Sequence, residues 1–522
     1  MNRLFNARNL RRFTLCASLF ALVGCDDDGE KKIIAPEPYA PEAYNKWLSF
    51  EPEGTTCADG TQYRYFVKFR ENSENVLVLF EGGGACWSWE TCSAATGTLA
   101  ALGVDCVFDD NDEYCIPYDY ADTYYAIPGG LPLDEYKDIL SNYKWLGISN
   151  GRVSIDTVLP LANSASSGGQ DVSPMKDWNL VFVPYCTADL YSGNRVAEYV
   201  NPDDPEDITV FRHVGLQNTL KVAEELNVLF PTVPEFAMNG CSAGGAGVTA
   251  TFPFFRSRMK GIEKAYVFSD AGPFFPTASG NSPSAPLHAA VRQAWDVSSI
   301  FTMLAQEYPD RDIPEPEHVS GIYRLLSENF PEDRFSVAHT QTDYNYSLYS
   351  YITFHPAFQH YRAQNAADAK LIYEYWKQDN DALVDTLEEL DNFTYYMPFW
   401  RQTNDSHCIS LIGIEDLPDI NEDPIVGFLG FLGNPAQRYY SGTEIEHDGK
   451  VWTYGDHVRD VMFSENPTNI FELDGEGPRK ACTPDYYNED DCKRAFGEPV
   501  DGDGDGDGDG DGDGDGDGED PA

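Results

Sequence analysis

Four short apolar runs, each stopped by a turn-forming cluster, constrain this chain more than any other feature. Val76-Leu77-Val78-Leu79-Phe80 runs into Glu81-Gly82-Gly83-Gly84, and Leu180-Val181-Phe182-Val183 into Pro184-Tyr185-Cys186. Phe236-Ala237-Met238 runs into Asn239-Gly240, and Ala265-Tyr266-Val267-Phe268 into Ser269-Asp270. A strand with one wet face alternates apolar and polar residues. A strand apolar at every position is covered on both faces, as in a parallel sheet between helical layers. Between the second and third runs, Leu216, Leu220, Ala223 and Leu226 or Leu229 recur at three-to-four spacing, which predicts a helix over roughly 214–229. Strand, helix, strand is a βαβ crossover, so the expected class is α/β, a mostly parallel sheet with helices on both faces. The segments 93–178 and 276–333, rich in Tyr, Pro and Asp, read as long cap insertions. No Pro/Gly-rich linker divides 43–495, and one large domain is expected there.

The ends are different in kind. Arg3, Arg8, Arg11 and Arg12 precede an uncharged run from Phe13 to Gly24, too short to span a bilayer, and the pattern is that of a signal peptide over 1–24. Leu22-Val23-Gly24-Cys25 resembles the bacterial lipobox, which implies lipidation of Cys25 and a membrane contact only through that lipid. An ordinary secretory signal is the plainer alternative. Residues 25–42 read as a charged, Pro-rich tether, and 496–522, dominated by Asp-Gly pairs, as a disordered acidic tail able at most to collect calcium weakly. The net charge is −50; setting aside the eleven acids of residues 501–522 and the four leader arginines leaves −43 for residues 25–500. So acidic a body repels phosphate backbones, which excludes direct nucleic-acid binding.

The sharpest local signal is Gly240-Cys241-Ser242-Ala243-Gly244-Gly245, a G-x-S-x-G directly after an apolar strand. In a nucleophile elbow the Ser occupies a strained strand-to-helix turn, and flanking glycines relieve the crowding. The amide of Ala243 then faces the reacting carbonyl, and the glycines after Phe80 supply further oxyanion donors, Gly83 and Gly84. No Lys-Ser/Thr follows those glycines, so a Walker-type phosphate loop is excluded. On an α/β-hydrolase-like fold the acid and then the His follow the Ser along the chain. His407, in the polar loop Gln402 to Cys408, is the candidate base, with His457 its rival. Asp343 is the candidate acid, with Asp270 its rival. The acid would accept the ring N–H of His407, fix its tautomer and stabilise the imidazolium.

Of twelve Cys, ten lie beyond the leader and Cys25. Cys86/Cys92, Cys106/Cys115 and Cys482/Cys492 are the natural disulfide candidates by proximity. No Cys pair has zinc-finger spacing; neither a metal nor a cofactor is expected.

Together these residues resemble the pectin acetylesterase family, which includes plant pectin acetylesterases and the carboxylesterase Notum. The resemblance rests on Cys57-Ala58-Asp59-Gly60, Phe80 to Gly84 with Cys86, Pro184-Tyr185-Cys186-Thr187-Ala188-Asp189 and Gly240 to Gly245, in order across most of residues 50–410. Asp270-Ala271-Gly272 and Ser406-His407-Cys408 are further matches. The resemblance implies the roles of nucleophile, acid and base for Ser242, Asp343 and His407. It also implies an ester substrate: acetyl groups on a polysaccharide such as pectin or xylan, or a lipid or acylated protein. Ala85 departs from the aromatic residue that many members carry after the glycines, and the residues after about 411 have no counterpart. A non-catalytic surface binding protein with Tyr-rich loops is the alternative from another class.

Overall fold

A computed structural model describes residues 44–92, 174–175, 177–277, 282–351, 354–355, 366–399, 407–409 and 445–472, with the short strands 23–25, 31–33, 106–108 and 115–117. The signal segment apart from 23–25, most of the tether, the Asp-Gly tail, and Cys482 and Cys492 lie outside the described residues, as does most of 93–173. Val23–Cys25 pairs antiparallel with Lys31–Ile33. Cys106 and Cys115 lie on two antiparallel three-residue strands, Cys106–Phe108 and Cys115–Pro117.

All four apolar runs are strands of one nine-stranded sheet. From one edge the order is Trp47–Phe50, Tyr65–Lys68, Asn179–Val183, Val76–Phe80, Val233–Cys241, Ile262–Asp270, Arg334–Ala338, Phe393–Met397 and Ile470–Phe471. Seven neighbouring strands, from Asn179–Val183 to Ile470–Phe471, are mutually parallel; Tyr65–Lys68 is antiparallel to both of its neighbours. The continuous apolarity has the expected cause. Val76, Val78 and Phe80 enter the core on one face, while Leu77 and Leu79 enter a second core on the other, and all five are fully buried.

The first core lies under the expected helix, observed as Gly215–Leu229, and under Ala243–Arg258, whose residues are buried from Ala243 to Phe255. Such a helix needs cover on its outer side as well. Ala285–Trp295, Ser298–Glu307 and Gly321–Asn329, from the segment read as a cap, contribute to that core. The second core is closed by Tyr454–Phe463 through Val458, Val461 and Met462. Thr453 caps that helix in a reciprocal box with Asp456. A hairpin, Arg195–Val200 with Ile208–His213, stands apart from the sheet. The register aligns Phe80 with Gly240, Cys241 with Asp270 and Asp270 with Ala338. The loops after these strands therefore meet at one edge, the C-terminal edge, where α/β sheets place their ligands.

Candidate active site

Ser242 follows the central strand Val233–Cys241 and caps the helix Ala243–Arg258. Its φ of 57° and ψ of −122° lie where a residue with a Cβ is strained, and surrounding contacts hold it there. Its N–H donates to the Asp270 carbonyl at 2.9 Å, and its carbonyl accepts from Ala246 N–H at 3.1 Å. The flanking glycines are sterically required. A Cβ on Gly240 would come within 2.5 Å of the Gly244 backbone, and one on Gly245 within 2.2 Å of the Asp270 carbonyl oxygen.

The glycine loop lies directly against this turn. A Cβ on Gly82 would stand 2.9 Å from the Cys241 carbonyl oxygen and 3.5 Å from Ser242 Cβ. Gly83 and Gly84 take φ of 148° and 59°. Gly84, Ser242 and Ala243 border one pocket. The loop is pinned from below by residues not singled out as functional in the sequence. Tyr185 OH donates to the Gly84 carbonyl at 2.9 Å and accepts from Leu190 N–H at 2.7 Å. Tyr185 N–H donates to Glu81 Oε2 at 2.7 Å, and Tyr191 OH reaches the Glu81 carbonyl at 2.8 Å. Desolvation pushes the Glu81 carboxyl up to about 7, against the opposing pull of the Tyr185 N–H. In the sequence Tyr185 stood out only as part of the Pro184–Asp189 motif, with no role assigned to it.

Asp343 and His407 come together. Asp343 Oδ2 accepts from His407 Nδ1 at 2.7 Å, and its Oδ1 accepts from Tyr346 N–H at 2.8 Å. Asp343 is 1% and His407 4% exposed. The disulfide Cys241–Cys408, with Cα atoms 5.6 Å apart, ties the residue before Ser242 to the residue after His407. This places the loop of His407 beside the Ser242 turn. The rivals are elsewhere. His457 is buried in the second core, where its Nε2 lies 2.8 Å from Ser336 Oγ and desolvation lowers its pKa to about 3. Asp270 accepts the Ile409 N–H at 3.0 Å, a loop-anchoring bond that orders the chain just after His407.

Cys86–Cys92 forms as expected from proximity. Cys57–Cys186 and Cys241–Cys408 join cysteines 129 and 167 residues apart, pairings that sequence proximity could not suggest. Two groupings, Cys86/Cys92/His213 and Cys241/His407/Cys408, have metal-like proximity. Their sulfurs are consumed in disulfides, which removes the thiolates a metal needs.

The pocket beside Ser242 is apolar over most of its wall, with Phe274, Leu287, Trp295, Ile300, Phe301 and Ile322 among its lining. Trp295 is held in place by its indole N–H, which donates to the Cys86 carbonyl at 2.7 Å. Among the described residues, no helix is long and apolar enough to cross a membrane.

A buried parallel sheet with a strained Ser turn at its C-terminal edge, beneath a glycine loop, defines an α/β-hydrolase-like protein. Comparison with known proteins narrows this. A pectinacetylesterase family model matches residues 162–309, which include the Pro184–Asp189 segment and the Ser242 turn. Palmitoleoyl-protein carboxylesterase notum2 of Xenopus laevis is 26% identical over 141 residues, 27% of this chain and 19% of that protein. Palmitoleoyl-protein carboxylesterase NOTUM of Drosophila melanogaster is 23% identical over 253 residues, 46% of this chain and 29% of that protein. These matches make part of the chain similar to the pectin acetylesterases and to the Notum carboxylesterases. The alignments span between 19% and 30% of the length of the curated relatives. A solved structure of the Wnt deacylase Notum from Drosophila aligns with a TM-score of 0.45 at 16% identity, covering 82% of this chain and 97% of that one.

Proposed function

We propose that the protein is a serine carboxylesterase working through an acyl-enzyme. The observation that carries this reading is the buried Asp343–His407 hydrogen bond on a loop bonded, through Cys408 and Cys241, to the Ser242 turn. His407 takes the Ser242 proton while Asp343 holds its other ring N–H. Ser242 Oγ attacks the ester carbonyl, and the amides of Ala243, Gly83 and Gly84 hold the oxyanion. His407 then protonates the departing alcohol, and water repeats the sequence to release the acid. The test is turnover of p-nitrophenyl acetate by wild type and Ser242→Ala; equal rates would refute the reading and leave the surface-binding alternative.

Two substrate classes follow from the family. The first is an acetyl ester on a polysaccharide such as pectin or xylan. The second is a longer acyl ester on a lipid or protein, and the apolar wall of the Ser242 pocket favours it. Burying each further methylene in such a wall contributes about 0.8 kcal/mol. A kcat/KM series from acetate to octanoate separates the classes: a rise of tenfold or more along the series supports the longer acyl group, and a fall supports acetyl. Export and a lipid on Cys25 would hold the enzyme to the cell envelope. Fatty-acid labelling that persists in Cys25→Ser would rule out that anchor.

A further inference from the structure

One stretch of the ester pocket's wall is basic. His288 and Arg292, one turn apart on the helix Ala285–Trp295, both border it. Arg292 also borders a second, polar groove lined by Arg195, Ala289, Gln293, Asp296 and Ser298. Its side chain is thus on the boundary between the two hollows. Arg195, at the start of the hairpin strand, donates from Nη1 to the Gln293 carbonyl at 2.7 Å and faces the same groove.

The chain has 36 basic and 86 acidic residues, and several of its arginines are held by carboxylates. Arg256 pairs with Asp333, Arg258 with Glu307 and Arg324 with Glu389. Among the described residues, neither Arg292 nor Arg195 has an acid within salt-bridge distance. Asp296 is the one carboxylate lining the groove, and its Oδ2 accepts from Ser299 Oγ at 2.5 Å. His288 completes the set. Its Nδ1 is shut from solvent without a partner among the described residues. Burial and the Arg292 charge lower its pKa to about 4, so at neutral pH it is an uncharged hydrogen-bonding group beside a cation.

We propose that Arg292, with His288 beside it and Arg195 across the groove, forms an anion subsite that binds a carboxylate or phosphate on the alcohol part of the substrate. The proposal rests on the reading of Ser242 as nucleophile only for which part of the substrate carries the charge. An ionised group within the apolar wall would be heavily penalised, so the acyl part takes the pocket and the charged alcohol part crosses Arg292 into the groove. The subsite also gives a strongly acidic protein a local means of holding an anionic ester, which its global charge otherwise repels.

Calorimetry on the full chain tests this without turnover, using 4-hydroxybenzoate, 4-hydroxybenzyl phosphate and neutral methyl 4-hydroxybenzoate as ligands. A charge-assisted hydrogen bond is worth roughly tenfold in affinity. The anionic ligands should bind about tenfold or more tightly than the neutral one. Arg292→Gln and Arg195→Gln should each remove most of that preference, and Arg459→Gln should keep it. Whichever anion binds more tightly identifies the group recognised. Equal binding of anionic and neutral ligands by wild type, or an unchanged preference in both variants, overturns the subsite. The butyrate esters of the carboxylate and methyl-ester ligands provide a parallel kcat/KM ratio. If wild type hydrolyses neither ester but keeps the binding preference, the esterase reading fails and the subsite stands.

Discussion

Replacing Asp343 with Asn is the most discriminating change for the catalytic reading. The carboxylate receives two N–H groups, from His407 Nδ1 at 2.7 Å through Oδ2 and from Tyr346 at 2.8 Å through Oδ1. Asn keeps the shape, and its Oδ1 can keep the Tyr346 bond. Its amide nitrogen, however, can only donate toward His407. The imidazole must then accept at Nδ1 and carry its proton on Nε2, the tautomer that cannot receive a proton from Ser242. Loss of the correct tautomer costs on the order of 10³–10⁴ in kcat in serine hydrolases, or about 4–5.5 kcal/mol of barrier. The fold should suffer far less, since one buried charged hydrogen bond is lost, on the order of 1–3 kcal/mol. The assay is steady-state ester hydrolysis alongside a melting curve, with Asp270→Asn as the matched comparison. In that variant the side-chain carbonyl oxygen can still accept the Ile409 N–H, so its kcat should stay within about tenfold of wild type. If Asp343→Asn stays within tenfold while Asp270→Asn collapses, the assigned acid is wrong, and so is the reasoning from the 2.7 Å contact.

Other consequences follow from the same geometry. Removing the Cys241–Cys408 link by the double alanine variant frees the loop of His407 from the Ser242 turn, so kcat should fall by roughly ten- to hundredfold. Loop entropy over 167 residues puts the stability loss at up to about 5 kcal/mol; unchanged kcat and denaturation midpoint would show that the link has no such role. Gly245→Ala brings a Cβ to 2.2 Å from the Asp270 carbonyl oxygen, and the rigid backbone on both sides should cost about 3 kcal/mol or more, read as a lowered melting temperature. Tyr185→Phe removes the hydroxyl that holds the Gly84 carbonyl; with Gly83 and Gly84 in the proposed role of oxyanion donors, which act in the transition state, kcat should fall by about tenfold with little change in KM. Glu81 gives a pH signature. Its folded pKa of about 7 lies above the ordinary value of 4.5, so the folded state holds its proton more tightly. Its contribution to stability is therefore full below about pH 4.5 and lost as pH rises through about 7. Wild type should lose denaturant resistance across that window, and Glu81→Gln should lose less.

By itself the amino-acid sequence determined the sheet strands that flank Ser242 and the turn that holds it. Both are local properties. Val76 to Phe80 must be buried on two faces because every residue is apolar, and Gly240, Gly244 and Gly245 mark a turn where a Cβ cannot fit. The tertiary structure decided what depends on chain segments meeting. Asp270 ends one parallel strand and Asp343 follows another, and both His407 and His457 sit in polar sequence; only the register and the loop paths bring Asp343 to His407 and sink His457 into the second core. The same holds for the long-range disulfides. Proximity in sequence found Cys86–Cys92, but Cys241 and Cys408 meet because the central strand and the loop around His407 converge at one sheet edge. The pocket could not be read at all before folding. Its apolar wall and Arg292, like Arg195 in the adjoining groove, come from helices, loops and a hairpin whose sequence patterns carry no sign of a shared cavity. A cavity is a relation among surfaces, whereas periodicity and motif spacing describe one segment at a time.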